Sequence, residues 1–392
     1  MPANANAQFL HHLQAGLRDL EARSQRRSLS EACGINLCSN DYLGLAANPE
    51  LRAAIVEGVL AASRVGGTGS RLLSGHEVVW SDLEEEFARF AGTEAALYFA
   101  SGYAANVGLL TSLLQKDDLV FSDAHNHASL IDGIRLSGAR KIIYPHLDLD
   151  ALETALRARS RESVRKIIII ETVFSMDGNV APLAALLELC ERYGAALIVD
   201  EAHATGVHGP GGRGILAQSV DPGRVLAATY TCGKALASAG AFVCGSSILK
   251  EHLINNARTF LFTTAMPPYM AAQIRAALQI MQSMDEQREQ LLNRSRQLVT
   301  GLQKMSYHTA GSCTQIVPVL LGSNHQAIAA AAFLQDLGFA VRAIRPPTVP
   351  EGSARLRFSV TAAISSQDLQ RLEAAMGSWA AHHQERVMAG RA

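Results

Sequence analysis

The sequence predicts an α/β protein: a large, doubly wound, mostly parallel sheet domain and a smaller α+β unit. Two observations carry that expectation. Between about residues 60 and 280, short apolar runs ending in polar residues alternate with amphipathic segments of helical period. The runs lack period-2 alternation, as expected of strands covered on both faces by crossover helices. Beyond about residue 286 the rhythm changes to strands and helices in mixed order, the mark of a separate small unit. With 392 residues, 48% hydrophobic and 18% charged, the chain has material for two or three folding units and a sizeable core.

Taken in order, Phe9, Leu10, Leu13, Leu17 and Leu20 mark a helix over 7–24. A short strand at 35–38, a turn at 39–45 and a helix over 49–62 complete an N-terminal arm, 1–60, expected to join the small unit. A Gly/Ser loop at 66–71 and a helix over 80–91 open the large domain, 61–285. Its strands are expected at 95–99, 118–122, 140–144, 166–171, 195–200, 225–230 and 241–245. Helical periods fill 103–115, 127–138, 148–158 and 182–193. One long helix over about 267–305, with Met270, Ile274, Leu278, Met281 and Met284 in register, leads into the small unit, 286–392. That unit is expected to hold strand 314–321, helix 325–337, strands 339–344 and 354–360, and helix 366–384.

Lysine plus arginine total 35 against 36 aspartate plus glutamate, a net charge of −1. This balance offers no basic face for nucleic acid and no polybasic membrane patch. No apolar run approaches the ~18 residues that span a bilayer. The first residues, Met1 to Asn6, lack a basic segment followed by an apolar one. Six scattered cysteines without a Cys-x-x-Cys pair read as reduced thiols. A cytoplasmic protein acting on small molecules is expected.

Asp200 ends one expected strand, in Ile198-Val199-Asp200-Glu201-Ala202-His203, and Lys234 follows the next, in Thr231-Cys232-Gly233-Lys234. In doubly wound sheets, ligands bind beyond the carboxyl ends of the strands. A lysine and a carboxylate there suit pyridoxal 5'-phosphate (PLP). Its aldehyde takes the lysine amine, and its ring nitrogen needs an anion to stay protonated. Singly, each residue is as easily a surface lysine or a strand-end acid; the weight lies in the pair. The turn Ser101-Gly102-Tyr103 opens a helix, where exposed N–H groups favour a phosphate, although many ordinary turns look the same. Thr231 offers a hydroxyl to the same phosphate, and Thr263 and Thr264 could do so from another subunit. His127, at a helix start, suits stacking on a flat ring. Metal binding by His125 and His127 is disfavoured, because no i,i+4 set of ligands accompanies them. Ser175 suits either a ring hydrogen bond or a turn. Arg355 and Arg357 share a strand face, where an arginine can grip a carboxylate or form an ion pair. Asp200-Glu201-Ala202-His203 also occurs in helicases, but no Gly-x-x-x-x-Gly-Lys-[Ser/Thr] accompanies it.

These segments, with Ser39-Asn40-Asp41-Tyr42-Leu43-Gly44-Leu45, Gly69-Ser70-Arg71-Leu72-Leu73-Ser74-Gly75 and Ser175-Met176-Asp177-Gly178, resemble the α-oxoamine synthases over nearly the whole chain. These are fold-type I PLP-dependent transferases that condense an amino acid with an acyl thioester. The resemblance implies that Lys234 carries the cofactor and removes the α-proton, Asp200 faces the ring nitrogen, and His127 stacks on the ring. It implies that His203 and Ser175 address the ring hydroxyl, and that Gly102, Tyr103 and Thr231 hold the phosphate. Asn40 and Arg357 would orient the amino-acid carboxylate. Thr348 and one of Arg23 or Arg26 would face the acyl substrate, Arg26 being the expected contact. Trp80 stands where many relatives carry histidine. A homodimer is also implied. The segment Arg345-Pro346-Pro347-Thr348-Val349-Pro350 resembles the biotin-pathway members, which join L-alanine to a pimeloyl thioester of coenzyme A or acyl carrier protein. Members using glycine with acetyl- or succinyl-thioester, or serine with palmitoyl-thioester, are the alternatives. An aminotransferase and a non-catalytic relative are more distant ones.

Overall fold

The structure is a computed structural model that describes residues 5–389, so the first four residues read for a leader lie outside the described residues. In chain order the elements are α1 (Ala5–Ala22), β1 (Ile35–Asn36), α2 (Pro49–Ala61), α3 (Val78–Ala91), β2 (Ala95–Phe99), α4 (Gly102–Leu113), β3 (Leu119–Asp123), α5 (Ala128–Ser137), β4 (Arg140–Tyr144), α6 (Leu149–Ala158), β5 (Lys166–Glu171), α7 (Leu183–Tyr193), β6 (Ala195–Asp200) and α8 (Ile215–Ser219). There follow β7 (Ala227–Thr231), β8 (Ala241–Gly245), α9 (Ser247–Asn256), α10 (Arg258–Leu261), α11 (Tyr269–Gln282), α12 (Asp285–Lys304), β9 (Ile316–Gly322), α13 (Asn324–Asp336), β10 (Phe339–Ala340), β11 (Ala343–Ile344), β12 (Ala354–Ser359) and α14 (Ser366–Ala389).

The seven-stranded sheet has the order β2-β8-β7-β6-β5-β3-β4. Its neighbours pair in parallel except β8, which runs antiparallel to both β7 and β2. The run Ile167-Ile168-Ile169-Ile170 shows why a period-2 pattern is missing. Ile168 and Ile170 belong to the apolar cluster on one face, and Ile167 and Ile169 to the cluster on the other. Both faces are dry, and each such side chain stabilises the fold by about 1.5–3 kcal/mol relative to exposure. On the first face Phe87 of α3 stacks on Phe242 of β8 with ring centroids 3.9 Å apart.

The small unit has an antiparallel sheet, β11-β12-β9, and a core of its own that includes residues of α12, α13 and α14. Pairing of β1 with β10 ties the N-terminal segment to this unit, and Leu37 is fully buried in its core.

Three expectations need correction. The long helix over 267–305 is broken at Ser283-Met284 into α11 and α12. The buried Arg288 donates to the carbonyls of Met281 (2.6 Å) and Gln282 (3.4 Å), satisfying acceptors that the break frees. The strand expected over 339–344 is two short ones, because β10 pairs with β1 while β11 pairs with β12. Finally, α9 and α10 fill a segment that carried no assignment. Ser246 caps α9 by accepting from Leu249 N at 3.2 Å, a signal the sequence did offer.

Candidate active site

The carboxyl ends of β5, β6 and β7 and the starts of α4 and α5 surround a cavity of about 170 Å³. Gly102, Tyr103, His127, Asp200, His203, Thr231 and Lys234, all singled out in the sequence, line it. So do Asn106, Ser129, Glu171, Ala202 and Thr229, which were not. Asn106 had a readable signal, lying one helical turn after Gly102 on the same face of α4.

One hydrogen-bond chain orients the cavity wall. Asn106 Nδ2 donates to Asp200 Oδ2 at 2.7 Å and to Ser129 Oγ at 2.9 Å. Asp200 Oδ1 accepts from Ala202 N at 2.8 Å. Ser129 Oγ lies 2.8 Å from His127 Nδ1, which also accepts from Ser129 N at 3.2 Å. Since Nδ1 is an acceptor, the neutral His127 carries its proton on Nε2. Burial, with Lys234 in support and Asp200 opposing, lowers the His127 pKa. The phosphate cradle is equally local. Ser101 Oγ accepts from Ala104 N at 3.0 Å, and a Cβ at Gly102 would sit 3.4 Å from Thr231 Oγ1. The bare glycine thus keeps the helix start open beside a hydroxyl.

Lys234 is the centre. Burial pulls its amine down to a pKa of about 8; Asp200 opposes this most, a charge on Glu171 would add to that opposition, and Arg357 favours the neutral amine. Its ordinary value is 10.5, so the free amine needed to attack an aldehyde is far more abundant near neutrality than for an exposed lysine. His203 is buried, with Nδ1 2.6 Å from the Tyr42 hydroxyl. Burial first, then Lys234, Arg357 and His127, hold it neutral well below the usual histidine range.

Asn40 and Arg357, expected to orient one carboxylate, are hydrogen-bonded to each other. Both terminal nitrogens of Arg357 donate to Asn40 Oδ1 at 3.2 Å, Nη1 reaches Ser359 Oγ at 2.7 Å, and Nε holds the Ser175 carbonyl at 2.5 Å. Ser175 meets the site through that carbonyl, and its side chain is not part of the cavity wall.

A second cavity, about 660 Å³, is lined by Ala124, His125 and Asn126, directly preceding His127, and by residues 346–351, Arg23, Gln25, Asp177 and Arg355. Thr348 stands in this wall. Both candidate arginines are exposed and ion-paired, Arg23 with Asp19 and Arg26 with Glu21, but Arg23 lines this cavity and Arg26 does not. The assignment to Arg26 is therefore corrected. Arg27, from the same arginine cluster, donates to the Pro346 carbonyl at 3.1 Å and fixes the loop. Arg355 forms a buried ion pair with Asp177 rather than a surface one. Burial raises the Asp177 pKa, but His125 and Arg355 outweigh it and bring it to about 2. His125 and His146 stack at 4.2 Å with planes only 16° apart. Their donor atoms and Asp177 lie within 4.8 Å of one another. Nearly parallel rings aim their lone pairs side by side rather than at one point, and Asp177 is already held by a guanidinium, so the cluster reads as an ion-pair network.

Thr263 and Thr264 lie away from this chain's cofactor cavity, in a small separate one with Arg71 and Phe260. Trp80 is buried and stacks on Tyr98 at 4.4 Å.

The first cavity fits PLP on its own chemistry. It combines a low-pKa buried lysine, an anion whose oxygens accept two N–H bonds, an anion cradle, and buried Thr229 Oγ1 and Glu171 Oε1 that have no hydrogen-bond partner within the described residues. The comparisons with known proteins agree. A model of the class I and II aminotransferases matches residues 33–376. An 8-amino-7-oxononanoate synthase from Aromatoleum aromaticum is 45% identical over 381 residues, covering 94% of this chain and 98% of that one. The chain belongs to the class I and II aminotransferase family, in its α-oxoamine synthase branch. Solved members superpose on nearly all of it. A serine palmitoyltransferase from S. paucimobilis, with bound PLP, has a TM-score of 0.87 at 28% identity, covering 96% of this chain and 98% of that one. An 8-amino-7-oxononanoate synthase from Francisella tularensis has a TM-score of 0.77 at 28% identity, covering 90% and 99%. As in the rest of the branch, the cofactor is PLP.

A first prediction arises here. Covalent uptake of PLP by the apoprotein requires the neutral Lys234 amine, so its rate should fall about tenfold per pH unit below ~8 and level off above. Stopped-flow absorbance across pH 6–9.5 checks this; a rate still rising about tenfold per unit up to the top of that range, as for an amine at the ordinary value of 10.5, would mean that the amine is not desolvated.

Proposed function

We propose that the chain condenses L-alanine with a pimeloyl thioester, releasing carbon dioxide and the free thiol and giving 8-amino-7-oxononanoate, a step of biotin biosynthesis. The observation that supports this most is the 45% identity to a synthase of that name over almost the full length of both chains. The cavity walled by residues 346–351 supplies the space such an acyl chain needs.

When bound, PLP supplies an electron sink for the amino acid's α-carbon. The residues of the chain do the rest. Arg357, whose two Nη atoms both rest on Asn40 Oδ1 in the free site, turns those N–H groups to the alanine carboxylate while Nε stays on the Ser175 carbonyl. Lys234, with a pKa of about 8, takes the α-proton and returns one at the end. His127 would cover the face of the ring, with Nε2–H free to serve the acyl carbonyl. Asp200 would hold the ring nitrogen protonated. The second cavity takes the seven-carbon chain against Pro346, Pro347 and Val349, with Arg23 and Gln25 at its polar end.

Two predictions follow from these roles. Arg357→Ala should raise KM for alanine and lower kcat/KM by about 30–1000-fold, since losing a buried, charge-assisted grip costs ~2–4 kcal/mol. Unchanged alanine KM in steady-state kinetics would remove Arg357 from that role. Alanine should be preferred to glycine by ~10–100-fold in kcat/KM, because a pocket reads one methyl group at about 1–3 kcal/mol. A screen of amino acids against acyl thioesters, read by thiol release, tests the assignment. A higher kcat/KM for glycine with acetyl- or succinyl-thioester overturns it.

We further infer a cytoplasmic homodimer. Leu60, Leu73 and Phe262 are more than two-thirds exposed, and Phe262 adjoins Thr263 and Thr264, which suits a second copy covering this face. The thiols of Cys190, Cys232 and Cys244 are buried and unpaired, as suits a reducing compartment. Full activity of a monomer in sedimentation at nanomolar concentration would sink the dimer.

A further inference from the structure

Glu171 ends β5 in parallel register with Asp200 at the end of β6. Register partners in a sheet point to the same face, so two carboxyl groups share one wall of the cofactor cavity. Their surroundings differ. Asp200 has an N–H donor on each oxygen, from Asn106 and from Ala202. Glu171 is 2% exposed, and its Oε1 is buried without any hydrogen-bond partner.

An ionised carboxylate with an orphan oxygen, enclosed and beside a second anion, carries a desolvation cost of several kcal/mol and a like-charge repulsion as well. Holding a proton removes both and leaves a group that can donate. We propose that Glu171 stands in the working protein as a neutral carboxylic acid, a hydrogen-bond donor in the cofactor cavity that leaves Asp200 the single anion facing Lys234.

The groups facing Glu171 agree with this. Burial raises its pKa most, and Asp200 on β6 adds to it. Lys234 after β7, together with the backbone N–H groups of His127 and Ser175, opposes but does not cancel the rise. The consequence reaches the lysine. A second anion beside Lys234 would favour its ammonium form further and leave less free amine to attack an aldehyde. One anion leaves the amine accessible and still serves the ring nitrogen. Glu171 is thus a charge-setting residue, separate from the groups that move protons in the reaction.

The test compares wild type with E171Q, which keeps shape, neutrality and a donor, and with E171M, which keeps bulk and loses the donor. In apoprotein at neutral pH, the infrared difference between E171Q and wild type should show loss of one protonated-carboxyl carbonyl band. Glu201, the neighbouring buried acid, is present in both proteins and cancels. The pH midpoint of PLP uptake should stay within about half a unit in E171Q. In E171M the Kd for PLP should rise about 2–10-fold, the worth of one hydrogen bond, while E171Q retains wild-type affinity. No lost band, or a midpoint more than about half a unit lower, shows that Glu171 was ionised and overturns the proposal. A folded E171M that binds PLP as tightly as wild type overturns the donor role; if E171M does not fold, the infrared band of E171Q decides alone. The proposal rests on Lys234 as the cofactor lysine. Failure of wild type to take up PLP would refute that reading, while the infrared band would still report on Glu171.

Discussion

Lys234→Ala is expected to abolish covalent PLP attachment and the visible absorption that goes with it, and to lower turnover by at least ~10³–10⁴-fold, because one residue both carries the cofactor and moves the α-proton. No other described lysine lines the cavity. Lys166 lies at the opposite end of β5, donating to the Glu162 carbonyl at 3.3 Å, and Lys250 is paired with Glu84 at 2.9 Å. Borohydride reduction of the wild type followed by peptide mapping should place the pyridoxyl label on Lys234 alone. A label elsewhere, or a turnover loss below tenfold in the alanine variant, would move the centre of the site.

Asp200→Asn should keep the fold and the label but reduce kcat by about 10²–10³-fold or more, with a smaller change in alanine KM. The amide has the carboxylate's shape, and its oxygen can still accept from Asn106. What it lacks is the charge that keeps the ring nitrogen protonated, and removal of a preorganised electrostatic partner has effects of that size. The sign of a second effect is also fixed. Asp200 favours the charged form of Lys234, so removing its charge should move the midpoint of PLP uptake below ~8. The same change at Glu171 should leave it in place. Near-normal turnover in the Asp200 variant would show that the ring needs no anion here.

The large sheet was legible because its signal is local. Four consecutive isoleucines in β5 can only be satisfied by a strand covered on both sides, and each strand end carries its polar residue beside the next helix start. Lys234, Asp200, His127 and Thr231 were readable for the same reason: the doubly wound pattern puts strand ends at one rim. Glu171 was not, since a strand-end acid has no sequence mark of burial; its meaning came from register with Asp200 and from an oxygen without a partner. The choice between Arg23 and Arg26 rested on side-chain direction at the end of α1, which spacing does not encode. The helix break at Ser283-Met284 was hidden as well, because apolar residues continue in helical register across it, and nothing in the spacing shows Arg288 turning back onto the carbonyls that the break frees.

The most direct test of the function is a mass balance on one reaction. Purified protein reconstituted with PLP is supplied with L-[1-¹³C]alanine and a pimeloyl thioester, and labelled carbon dioxide, free thiol and amino ketone are measured together. Equal amounts of all three, with 8-amino-7-oxononanoate as the product, are predicted. Thiol-independent loss of the amino group to a keto acid, or condensation without release of the labelled carboxyl carbon, would contradict the account.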